Sequence, residues 1–137
     1  MRRLPPLTAL EAFTEIARTG SAKAWFGGNG RTSTENLTQT VTIPATATAA
    51  NLSYYIRTDT AESGSTAYDT FRVQVVVNGV TTTLRTFSNV GTSATYAQFS
   101  HSLLAHKGKT VQVKFLMNED SSLQTSFVVD DTAVSVS

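Results

Sequence analysis

The chain has 137 residues, enough for one domain that holds a core without covalent staples. Hydrophobic residues make up 40% and charged residues 15%, a balance that excludes a disordered chain and suits half-exposed strands better than long surface helices. A formal net charge of +1 draws neither nucleic acid nor an anionic membrane, and the absence of cysteine excludes disulfides, a thiolate zinc site and a cysteine nucleophile. No apolar run approaches the roughly 20 residues that cross a bilayer, and the N-terminal Arg2-Arg3 pair is not followed by the apolar segment and small-residue cleavage site of an export signal.

In chain order, residues 1–23 differ from all that follows. Thr8 and Glu11 have the spacing of a capping box, Leu7, Leu10, Phe13 and Ile16 recur at helical spacing, and Gly20 stands where a helix would stop. The expectation is one short amphipathic N-terminal α-helix, which must dock on its own domain or on a second copy of the chain, giving a homodimer. The stretch MRRLPPLTALEAFTEIARTGSAKA resembles the opening of a LysR-type transcriptional regulator. That resemblance ends near Ala24, and the recognition helix that would enter the major groove has no counterpart. A remnant of such a regulator is therefore the least favoured function.

From residue 24 to 137 the period is two. Leu37, Val41 and Ile43 share a face, as do Leu52, Tyr54 and Ile56, then Phe71, Val73, Val75 and Val77, then Val111, Val113, Phe115 and Met117. Asn78-Gly79 predicts a two-residue hairpin turn joining a strand near 69–77 to one near 80–87. Further strands are expected at about 94–102 and 125–136. The fold class is all-β: a two-sheet antiparallel β-sandwich, jelly-roll-like, preceded by the leader helix.

The ten acidic residues sit mostly at junctions between loops and strands. Glu35 precedes the first long strand, Asp59, Glu62 and Asp69 bracket the loop TDTAESGSTAYD, Glu119 and Asp120 open the loop before the last strand, and Asp130-Asp131 interrupt its apolar run. Hard oxygen donors so placed suit calcium, which takes six to eight oxygens in tolerant geometry. Solvated loop charges are the alternative. Asp130 and Asp131 fit that alternative least, since neighbours on a strand face opposite ways unless a bulge re-aims one.

No catalytic apparatus is visible. His101 and His106 are the two imidazoles, and no Gly-x-Ser-x-Gly elbow accompanies them. Most aromatics belong to the core. Trp25 either plugs one end of it or offers a sugar-stacking platform, and an exposed aromatic face would make the chain a carbohydrate-binding module.

The blocks AWFGGNGRTSTENLTQTVTIP, LSYYIRTDTAESGSTAYDTFRVQV and HKGKTVQVKFLMNEDSSLQTSFVVDDTAV resemble the C-terminal β-sandwich of bacterial secreted peptidases of the sedolisin and subtilisin types. The resemblance implies a non-catalytic, extracellular accessory or binding module, partnered by a parent peptidase domain or an extracellular polymer, protein or glycan. It also implies a structural Ca2+ held by Glu62, Asp69, Asp130 and Asp131, with Asp59 and Glu35 as further ligands.

Overall fold

The computed structural model describes residues 2–3, 24–28, 30–91, 94–121 and 123–137. The leader helix expected before residue 24 falls on residues outside that set, apart from β1 (Arg2–Arg3), whose backbone pairs with the last strand. The chain then forms β2 (Ala24–Gly27), β3 (Ser33–Thr42), β4 (Ala50–Thr60), β5 (Thr70–Val77), β6 (Val80–Ser88), β7 (Ala97–Ser102), β8 (Thr110–Glu119) and β9 (Thr125–Val136). A single 3₁₀ turn, Leu104–His106, links β7 to β8.

Two antiparallel sheets face each other. Sheet A runs β9-β4-β7, with β1 and β2 both pairing with the outer side of β9, and sheet B runs β3-β8-β5-β6. Most connections therefore cross between sheets, which gives the jelly-roll-like sandwich that the period-two pattern predicts. The strict alternation of β8, buried at Val111, Val113, Phe115 and Met117 and half-exposed between them, is the plainest case. One face of each strand must leave water because that is where its apolar side chains are.

The core is aromatic at its centre. Phe71 lies edge-on to Phe26 at 5.1 Å between ring centroids and stacks on Phe115 at 5.8 Å and Phe127 at 5.3 Å. Phe26 is the residue of β2 that plugs this core. Trp25, one residue earlier, faces the opposite way and is half-buried, so of the two roles open to it the plug belongs to its neighbour. Its indole N–H is enclosed and finds no acceptor among the described residues.

Two irregularities shape the sheets. At the hairpin, Asn78 and Gly79 take backbone φ of 51° and 77°, the two positive angles of a two-residue turn whose twist matches its strands. In β9, Tyr55 pairs with Asp130 but Ser53 pairs with Ala133, so Asp131 and Thr132 together oppose Tyr54. This bulge switches which residues of β9 face the core, from Phe127 and Val129 before it to Val134 and Val136 after it.

Candidate functional site

The acidic residues gather at one end of the sandwich, where the loop after β4, the loop after β8 and the start of β9 meet. Asp69 is fully buried, one Oδ accepting from the Asp120 amide at 2.9 Å and the other from the Thr125 hydroxyl at 2.5 Å. Burial pushes its carboxyl above the usual range, against the pull of those two hydrogen bonds, and the Asp120 and Glu62 charges push it further the same way. Asn89 fixes the loop around it, accepting from the Tyr68 and Asp69 amides and donating to the Thr66 carbonyl. Carboxylate oxygens of Glu62, Asp69 and Asp120 lie within 4.8 Å of one another. Two oxygens on one calcium ion, each at roughly 2.3–2.6 Å, are at most about 5 Å apart, so the three carboxylates match the spread of part of a calcium shell.

The six residues read from the sequence as calcium ligands divide. Glu62 and Asp69 meet, with Asp120 as the third member. Asp59 is ion-paired with Arg57 at 2.7 Å, and Glu35 accepts the Gly27 amide at 2.5 Å. Asp130 and Asp131 lie at the bulge, five and six residues along β9 from Thr125, a separation on the order of 16 Å or more in extended chain. They are outside the three-carboxylate group. Asp130 accepts the amide of Asp131, whose φ is 50°, so this pair shapes the bulge that re-aims it. Glu119 is also buried, and its two oxygens accept from the Thr125 amide, the Gly30 amide and the Ser33 hydroxyl. That ties the loop after β2 to the start of β9. The sequence signal for Asp120 and Glu119 is the acidic pair in MNEDSS, directly after a strand of strict alternation.

A concavity opens between edge strands β6 and β7. It has a volume of about 240 Å³ and is lined by Arg57, Arg85, Phe87, Phe99 and the polar positions Thr86 and Ser88 among others. Arg85 pairs across β6 with the fully buried Val73 and so projects on the core side of its sheet. Its guanidinium carbon sits 4.4 Å from the Phe99 ring centroid and 5.0 Å from that of Phe87. Behind these rings Tyr54 stacks on Phe99 and bonds His101 Nε2 through its hydroxyl at 2.8 Å. Burial, and then the Arg85 charge, lowers the pKa of His101, and burial raises that of Tyr54.

No family model matches the chain, and no curated protein does. Solved structures do. The chain is similar to TmCBM61 in complex with β-1,4-galactotriose, at TM-score 0.62 and 11% identity over 88% of this chain and 74% of that one. At that identity the likeness is one of fold, and it agrees with the jelly-roll sandwich. A mutant of Xylanase10C from Cellvibrio japonicus in complex with xylopentaose also aligns, at TM-score 0.41 and 8% identity, over 89% of this chain and 26% of that one. That likeness is too distant to weigh.

Proposed function

We propose that this chain is a non-catalytic module that binds an extracellular glycan. The observation that carries the reading is the groove between β6 and β7, where the guanidinium groups of Arg57 and Arg85 and several polar residues line a concavity in a sandwich similar in fold to TmCBM61. Sugar recognition draws on such a wall, since the hydroxyls of a saccharide take hydrogen bonds from fixed donors in a concave site. The test is native electrophoresis of the intact chain through gels carrying neutral and acidic polysaccharides. Retarded migration in at least one gel is expected, and unchanged migration in all of them would overturn the reading.

A second reading, compatible with the first, is favoured by the Glu62–Asp69–Asp120 cluster. It is that of a calcium-stabilised accessory domain, its link to a secreted peptidase resting on the sequence resemblance alone. Three carboxylates so close repel one another, and a divalent cation reverses that cost; calcium bound to the native state alone contributes about 2.7 kcal/mol at one hundred times its dissociation constant. Thermal melts with calcium and with chelator should then differ in the parent and coincide in Asp69→Asn. Coincident parent melts, with no metal found by elemental analysis, would remove calcium from the account.

A further inference from the structure

We propose that the groove between β6 and β7 selects a glycan that carries a carboxylate, a uronate polymer, and that Arg85 is the residue that reads it. The inference rests on the glycan-binding reading and gives it a substrate class.

Its first support is position. The register Val73↔Arg85 puts an arginine on the core-facing side of an edge strand, where an apolar residue would have closed the sandwich. Its second is stacking. With its carbon over the rings of Phe87 and Phe99, the guanidinium has its flat face occupied, and its N–H donors, which lie in the plane, are left for a ligand at the groove. A planar two-oxygen acceptor is the partner that this rigid fork fits best.

The third support is charge. No Asp or Glu lines the groove, and Arg85 has no carboxylate partner among the described residues. The other lining arginine, Arg57, is already committed to Asp59 at 2.7 Å. The unneutralised charge of Arg85 is felt inside the protein, where it acts on His101 and Tyr54. The fourth support is what the stacking removes. Because the guanidinium covers Phe87 and Phe99, a neutral pyranose finds no bare ring there, and among the described residues the one well-exposed aromatic is Tyr68, on the loop beside the acidic end. Thr58, Thr86 and Ser88 also line the groove and make its wall polar, which suits the ring hydroxyls of a sugar that an acidic peptide lacks.

The experiment compares the intact chain with Arg85→Gln and Arg85→Lys on polygalacturonate, alginate and glucuronoxylan, with neutral β-1,4-galactan and poly-L-glutamate as counter-probes. Binding to at least one uronate polymer, weakened by added salt, is expected. Arg85→Gln should reduce that affinity about tenfold or more, the worth of a charge-assisted hydrogen-bond pair, while Arg85→Lys restores part of it. Melting temperatures of the variants within a few degrees of the parent confirm that the loss is local, and the partial rescue by lysine reports the same independently. Tighter or equal binding to β-1,4-galactan, or uronate binding indifferent to Arg85→Gln, would overturn the inference and leave the glycan-binding reading standing. Equal capture by poly-L-glutamate would overturn it as well. Binding to no polysaccharide at all would remove both.

Discussion

His101 belongs to a strand that also supplies Phe99 to the groove, yet its own part is internal. Its Nε2 meets the Tyr54 hydroxyl, and its ring stacks on Tyr54 at 5.6 Å between centroids. Folding lowers its pKa below 6.5, chiefly by burial and then by Arg85, so the native state binds fewer protons than the unfolded chain between that lowered value and 6.5. Stability from this residue is therefore complete above pH 6.5 and is lost as the pH falls through 6.5 toward the folded value. Urea unfolding at a series of pH values should show the parent losing stability relative to His101→Gln across that window. Parallel pH profiles for the two proteins would show that His101 does not titrate in step with folding. Among the carboxylates the same scale separates roles that look alike in the sequence: Glu119, Glu35 and Asp130 accept backbone amides outside the cluster, whereas Asp69, which accepts one too, also meets Glu62 and Asp120.

At the scale of the strand, β9 shows most clearly what a pattern can and cannot convey. Its bulge holds Asp131 at φ 50°, a backbone angle that costs an ordinary side chain about 1–2 kcal/mol and glycine almost nothing. Asp131→Gly should thus change stability by less than about 1 kcal/mol, the relief of strain offsetting the greater freedom of the unfolded glycine. It should also leave any calcium-dependent gain in melting temperature intact. Loss of that gain in Asp131→Gly would instead return this residue to the metal shell. The span of β9, 125–136, was legible because its residues are apolar and β-branched, and the β5–β6 hairpin was legible because Asn-Gly is the pair that tolerates two positive φ angles. The bulge itself was legible only as one alternative, because whether Asp130-Asp131 faces a cation or bends the strand depends on what lies opposite, and Tyr54 is 76 residues away in the chain. For the same reason Glu62 and Asp69 were read as partners of Asp130 and Asp131: sequence spacing does not say which loops share an end of a sandwich. Arg85 carried no signal at all, since an arginine in a strand of threonines reads as solvent-facing until its register opposite Val73 is known.

At the scale of the molecule, every pairing of sheet A except that of β4 with β7 passes through β9, which bonds β4 along one side and β1 and β2 along the other. Sheet B has no such dependence on the last strand, because β3, β8, β5 and β6 pair among themselves. Removal of 125–136 should therefore leave a chain without cooperative thermal unfolding, and a sigmoidal melt with dispersed amide resonances in the truncated chain would refute this. The order of synthesis adds a consequence. On a ribosome the edge of β4 that pairs with β9 emerges long before its partner, and it stays unpaired until translation has passed residue 136. A nascent chain in that condition carries an open sheet edge, and sheet A closes only when synthesis has delivered its last strand.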